Sequence, residues 1–173
     1  MSLDSQLKEK LLHADQEATM LLGPHERVRV VIAGGSALLL LSVLSRPTPD
    51  IDVLHVHPLL ETIFRKYDMN SRMTAYTDMM PYNFEDRLKR VDLKTKTLDY
   101  WTLSLEDLVL MKLNSDRDKD QEDISNKAVL SEINWEKIIE IVQSGEMDVS
   151  FNERRYKEFL RRFQNYLEQY KPR

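Results

Sequence analysis

Two aspartates separated by one residue, Asp50 and Asp52, lie sixteen residues beyond Gly34, the first of an adjacent glycine pair that is followed by Ser36. On a strand, residues i and i+2 face the same way, so both carboxylates project together while Ile51 and Val53 point into a core. Adjacent carboxylates repel each other and favour a divalent cation. Mg²⁺ typically takes one or two of them together with waters and substrate phosphates. Ahead of Gly34 runs Val28–Ala33, a β-branched apolar stretch that reads as a buried strand. A strand that feeds Gly34-Gly35-Ser36 into a helix presents free N–H groups and a positive dipole end, which suit phosphate. The glycines let backbone come close to such a ligand, and Ser36 adds a hydroxyl. A phosphate cradle beside a Mg²⁺ pair is the equipment of phosphoryl or nucleotidyl transfer. Alone, a Gly-Gly-Ser turn or a solvated Asp-x-Asp edge is commonly structural; the succession strand–GGS–helix–DxD–strand points to function.

The elements that must hold these residues can be read from periodicity and punctuation. Residues 4–22 predict an amphipathic helix through Leu7, Leu11, Ala14 and Ala18, ended by Gly23-Pro24. Ser36–Leu44 predicts a helix apolar nearly all round, hence buried on most faces. Arg46-Pro47-Thr48-Pro49 must be extended, Asp50–Val56 alternates as a strand, and 58–67 is helical with Pro58 in its first turn. The stretch 72–83 fits no single pattern. Leu88–Lys94 and Leu98–Leu103 predict a hairpin around Thr95-Lys96. Ser104 with Asp107 resembles a capping box and opens a helix with Leu105, Leu108, Val109 and Leu113 inside. A further helix follows to about Val129, then Asn134 caps Trp135–Gln143, which Gly145 ends. The last helix is 152–169. The fold class expected is α/β (α+β): a small mixed sheet flanked by helices, with a helical C-terminal part. A single domain over 1–173 is expected, with a core over 26–125 and a helical extension over 126–173.

The 173 residues include 25 Lys+Arg, 29 Asp+Glu, no Cys and four Gly. Absence of Cys excludes a disulfide scaffold, a thiolate metal site and a cysteine nucleophile, and it suits a reducing cytoplasm, the expected location. The net charge of −4 argues against a generally basic nucleic-acid binder but not against a local basic patch. The longest uncharged run, Val30–Ser45, is sixteen residues, short of a membrane span, and no membrane partner is expected.

The GGS and DID pair at this spacing resembles the signature of the nucleotidyltransferase fold of the DNA polymerase β type. The chain is similar to small stand-alone bacterial members of that superfamily related to the AbiEii-type toxins of abortive-infection systems. Their pattern includes Arg-x-Thr before DID, here Arg46-Pro47-Thr48. It continues with Leu103-Ser104-Leu-Glu-Asp107-Leu108, Lys112, Arg117 and Lys119-Asp120-Gln-Glu-Asp123-Ile124. The resemblance covers residues 28–125. It implies an NTP-dependent transferase in which Asp50 and Asp52 hold two Mg²⁺ ions. Gly34, Gly35 and Ser36, with Arg46 and Thr48, would bind the nucleotide. The superfamily adds a third carboxylate on a neighbouring strand. Asp92, between Val91 and Leu93 and flanked by Arg90 and Lys94, is preferred; Asp99 is the alternative, and if neither serves the chain would be a binding module.

If the helix from Leu105 ran on through Asp123, Lys112, Lys119 and Asp123 would share nearly one azimuth. Lys112 and Lys119 would then meet triphosphate, with Arg117, Asp120 and Asp123 supporting them from behind. The bland alternative is a solvated face with pairs such as Lys119–Asp123. His55 and His57 lack a third ligand and read as core or surface histidines. The aromatic stripe of the last helix, Tyr156 to Leu167, reads as packing. Residues 151–173 carry seven Lys/Arg against three Glu, so an RNA backbone is a further candidate partner. The acceptor (RNA, protein or small molecule) and a cognate antitoxin or toxin partner stay open.

Overall fold

The computed structural model describes residues 1–148 and 152–173, apart from the side chains of residues 75, 76 and 78. The chain divides into two compact units. The first comprises Met1–Ala75 and Leu88–Leu103, the second Tyr76–Arg87 and Ser104–Arg173. The expected core of 26–125 thus draws on both units.

The first unit holds the sheet. Its elements are α1 (Leu3–Leu22), β1 (Val28–Ala33), α2 (Gly34–Leu40), β2 (Ile51–Leu54), α3 (Glu61–Lys66), β3 (Met69–Asn70), β4 (Lys89–Arg90) and β5 (Leu98–Thr102). Strand order is β3-β2-β1-β5-β4. The β1–β2 and β4–β5 pairs are antiparallel, whereas β1–β5 and β2–β3 are parallel, so the sheet is mixed, as expected. One face of β5 packs against α1. Leu98 and Tyr100 are buried there, and the Tyr100 hydroxyl donates to the Leu11 carbonyl at 2.8 Å. Burial pushes that phenol well above its usual pKa. Asp15 of α1 is buried and accepts from the backbone N–H groups of Lys96, Thr97 and Leu98 at 2.9, 2.8 and 2.7 Å. One carboxylate thereby anchors the start of β5, because the buried N–H groups of Thr97 and Leu98 would otherwise lack this partner.

Three expected elements come out shorter. The helix expected over Ser36–Leu44 is α2, which closes at Leu40, because Ser42 takes φ +61°, outside the helical region. The strand expected over Leu88–Lys94 stops at Arg90. Val91 still donates to the Tyr100 carbonyl, but Leu93 N–H turns back onto the Val91 carbonyl at 2.9 Å. That i→i+2 bond makes Asp92 the middle of a tight three-residue turn rather than a strand residue. The strand expected over Asp50–Val56 is likewise cut to Ile51–Leu54, with His55 at φ +54°. His57 then caps a 3₁₀ turn, its Nδ1 accepting from Leu59 N–H. This capping role leaves the His-x-His pair without a shared strand. The short β3 was not anticipated; it lies in a charged, aperiodic stretch.

The second unit is helical. It contains α4 (Leu105–Leu113), α5 (Asp118–Ser125), α6 (Lys127–Glu132), α7 (Trp135–Gln143) and α8 (Glu153–Tyr170). Ser104 caps α4 as expected, accepting from Asp107 N–H at 3.1 Å, and Asn134 caps α7. Leu108, Val109, Ile124, Ile138, Phe159 and Phe163 are buried. The aromatic stripe of α8 is therefore packing, and Tyr166 ties it to α5 through a 2.6 Å bond to the Ile124 carbonyl. Three α8 basic residues are ion-paired: Lys157 with Glu153, Arg161 with Glu158, and Arg162 with Glu158 and Asp116. No helix among the described residues is long and apolar enough to cross a membrane.

Candidate active site

The glycine turn and the aspartates meet at the end of β1. Ala33 and Asp52 are direct partners across the β1–β2 pair, so the next residue, Gly34, comes down beside the carboxylate. A Cβ on Gly34 would stand 2.5 Å from Asp52 Oδ2, and Gly34 has φ +64°. Both facts demand glycine: the backbone conformation is one side chains rarely adopt, and the space belongs to an oxygen. Gly35 is crowded from the other side, since a Cβ there would meet Thr48 Cγ2 at 2.7 Å and Arg46 Nη2 at 3.5 Å. Arg46 and Thr48 on one side and Asp52 of β2 on the other therefore crowd the two glycines.

Ser36 locks this arrangement. Its side chain is buried, its hydroxyl donates to the Asp50 carbonyl at 3.1 Å, and it lies 2.9 Å from Thr48 Oγ1. A hydroxyl has one proton, so with Ser36 donating to Asp50, Thr48 is the donor to Ser36. The serine side chain thus fixes the segment carrying Asp50 and Asp52. Gly34 and Gly35 remain half-buried and Asp50 is exposed, with Asp52 between. Ile51 and Val53 are buried between the aspartates and beyond them, which is the alternation expected.

Two neighbours were not anticipated. Arg72 Nη2 lies 3.6 Å from Asp50 Oδ2. Asn70, the β3 partner of Asp52, accepts through Oδ1 from Arg72 N–H at 3.2 Å, and its amide Nδ2 is buried with no hydrogen-bond partner. A spare donor next to a carboxylate is an unsatisfied group of the kind that ligand oxygen relieves. No sequence signal marks either residue, because β3 is only two residues long.

The third carboxylate is not brought alongside. Asp92 is exposed in its turn. Asp99 pairs in register with Arg29, four residues before Ala33, roughly 13 Å along the strand from the level of Asp52. It is also engaged: Arg27 Nη2 and Arg90 Nε donate to Oδ1 at 3.2 and 3.1 Å, and Trp101 Nε1 donates to Oδ2 at 3.0 Å. Among the described residues, no three His, Cys, Asp or Glu side chains gather as a metal site.

The second unit holds the lysine motif, in a form different from the continuous helix considered above. The helix breaks after Leu113, and Arg117 is extended before α5. Lys112 is buried and contacts both Asp120 Oδ1 at 2.6 Å and Asp123 Oδ2 at 3.0 Å. Ser115 donates to Asp120 Oδ2 at 2.6 Å. Lys119 and Arg117 are exposed. So Lys112 and Lys119 do not share a helix face, and Lys112 joins its aspartates across a loop. The same unit contains a second buried ion cluster that pattern reading missed. Arg87 donates to Asp107 at 2.8–3.1 Å and to Glu146 at 2.7 and 3.1 Å. Asp107 was legible as a cap, but nothing local paired it with Arg87.

Burial pushes the Asp120 and Glu146 carboxyls up. The ammonium and hydrogen bonds around Asp120, and the Arg87 guanidinium at Glu146, outweigh that and hold both below the usual carboxylate range. The unfolded chain therefore takes up these protons first as pH falls. Their contribution is complete above the ordinary carboxylate range and is lost below about pH 4. Thermal melts followed by helical circular dichroism should shift down between pH 5 and pH 3 by more than an exposed-charge protein of this size would show; a flat profile would contradict the pairing.

Residues 9–171 match the family described as nucleotidyltransferase of unknown function (DUF6036). The chain belongs to this nucleotidyltransferase family. No curated protein and no solved structure matches it. The Gly34–Asp52 approach leaves no room for a side chain on the glycine. Gly34→Ala should destabilise the fold by about 1–3 kcal/mol through backbone strain and collision, and displace Asp52. Gly23→Ala is the control: Gly23 also has positive φ, at +89°, but nothing lies within 4 Å. Melting temperatures of the two variants separate strain from collision, and equal losses would show that the contact with Asp52 costs nothing.

Proposed function

We propose that the chain transfers a nucleotidyl group from an NTP to an acceptor hydroxyl, with Asp50 and Asp52 as the carboxylates that hold Mg²⁺. The observation that carries this reading is the glycine turn seated on Asp52, locked by Ser36, in a chain of the nucleotidyltransferase family. The donor set suits the ion: two partly exposed carboxylates supply hard oxygens with room for water and phosphate. Bound there, Mg²⁺ would neutralise phosphate charge and orient the triphosphate. The acceptor oxygen forms the new bond to the α-phosphorus. The bond to the bridging oxygen breaks, pyrophosphate leaves with its electron pair, and the hydroxyl proton passes to a base or water. Gly34 and Gly35 permit close backbone approach to phosphate, and Asn70 Nδ2 is a donor beside the site. By resemblance alone, Lys112 and Lys119 are carried into the proposal as triphosphate contacts, with Arg117, Asp120 and Asp123 supporting them.

The test is direct. Purified protein, Mg²⁺, each labelled NTP and total RNA or cell protein should give label on one acceptor pool; no transfer with any NTP would sink the reading. A second reading, a binding or regulatory module, is favoured because no third carboxylate gathers with Asp50 and Asp52 among the described residues. Calorimetry with Mg²⁺ and NTP discriminates, since tight binding without turnover supports the module. The likeness to AbiEii-type toxins extends the first reading to a toxin–antitoxin setting, to be tested by growth arrest on induction.

A further inference from the structure

The face of the sheet that carries Asp52 also carries a cationic, aromatic patch. Partners across paired strands share a face and alternate residues repeat it. Asp52 lies opposite Ala33, so Val31 and Arg29 of β1 share its side; Trp101 is opposite Val31, Asp99 opposite Arg29, and Arg90 opposite Trp101. The Arg29 guanidinium sits 5.4 Å from the Trp101 ring centroid. Arg27 and Arg90 share one carboxylate, Asp99. Arg27, Arg29 and Arg90 are exposed, and Trp101 is partly open. Three arginines thus share this face with one acid in a chain whose net charge is −4.

We propose that this Arg29–Trp101–Arg90 patch binds the acceptor, and that the acceptor is a single-stranded polynucleotide end. The proposal rests on the nucleotidyl-transfer reading for its location, since Trp101 lies two strands across and two residues back from Asp52. Strand spacing and rise put that at roughly 12 Å, within reach of a short strand whose terminal hydroxyl is at the aspartates. The chemistry is selective. Arginines free of a full complement of carboxylates take phosphates, while an arginine-backed indole offers a stacking surface for an unstacked base. An acidic peptide would pair with the arginines but brings no heterocyclic base to stack on the indole.

The experiment measures binding without NTP, metal or turnover, so it can fail independently of catalysis. Fluorescein-labelled single-stranded RNA and DNA oligonucleotides, and a duplex of the same sequence, are titrated with the full chain at several salt concentrations. Expected is binding of single strands in preference to duplex. Arg29→Gln with Arg90→Gln should weaken it about tenfold or more and flatten the salt slope by about one to two. Trp101→Ala should weaken it by at least about fivefold. The arginine pair is exposed, so this variant keeps the test alive if Trp101→Ala fails to fold. Calorimetric NTP binding should be unchanged in the arginine variant. Failure of the wild type to bind any single strand, equal binding by the arginine variant, or equal preference for duplex would each overturn the proposal; the RNA and DNA arms tell the two sources apart. Intact NTP binding alongside such a failure would leave nucleotidyl transfer standing with an acceptor of another class.

Discussion

Asp50→Asn together with Asp52→Asn is expected to lower nucleotidyl transfer by about a thousandfold or more while leaving the fold intact. Both changes keep shape and remove charge. Losing the ion that neutralises a developing triphosphate charge forfeits several kcal/mol of transition-state stabilisation, and each 1.36 kcal/mol is about tenfold in rate. At Asp50 stability should hardly move, because the residue is exposed and its pairing with Arg72 is at 3.6 Å on the surface, a geometry that contributes little. Rates come from label transfer under saturating NTP and stability from thermal melts of the same samples. Transfer equal to wild type would remove the two aspartates from the chemistry. A large fall in melting temperature would mean that the pair serves the fold.

Lys112→Ala is expected to destabilise the chain by about 3–5 kcal/mol. The ammonium is buried between Asp120 and Asp123. Its removal strands two carboxylates in a low-dielectric site, and breaking a buried ion cluster in this way costs about that much. Lys112→Met with Asp120→Leu and Asp123→Leu should recover part of the loss, since no unpaired charge remains; Ser115 still loses its partner. Denaturant unfolding of the three chains measures both effects. If Lys112→Ala instead keeps wild-type stability and loses only transfer, the lysine acts on the triphosphate and its aspartates merely orient it.

The helices and central strands were legible because their signals are local. Leu7, Leu11, Ala14 and Ala18 recur at helical spacing and are buried on α1, and the Asn134 and Ser104 caps fall where the sequence places them. The glycine–aspartate junction was legible for a similar reason: its spacing crosses one turn, one helix and one strand. What failed to show depends on pairs far apart in sequence. Arg87 meets Glu146, and Asp15 meets Lys96–Leu98, through partners that no window of the chain contains. The turn at Asp92 is a failure of another kind. Val91-Asp92-Leu93 has strand composition, but the tertiary hydrogen bonds run out one residue earlier, and propensity alone cannot fix where pairing stops.

The passage of the chain between its two units has a consequence for anyone who would cut it. It leaves the first unit after Ala75, returns at Leu88, and leaves again after Leu103. Arg87, at the end of the excursion, clasps Asp107 and Glu146. A fragment ending at Leu103 would keep that guanidinium and lose both its carboxylates. The complementary fragment would keep the carboxylates in apolar surroundings with no cation. The helical half also cannot close its ion cluster during synthesis until Glu146 has emerged, about sixty residues after Arg87. Any dissection of activity must therefore be made by point substitution within the whole chain.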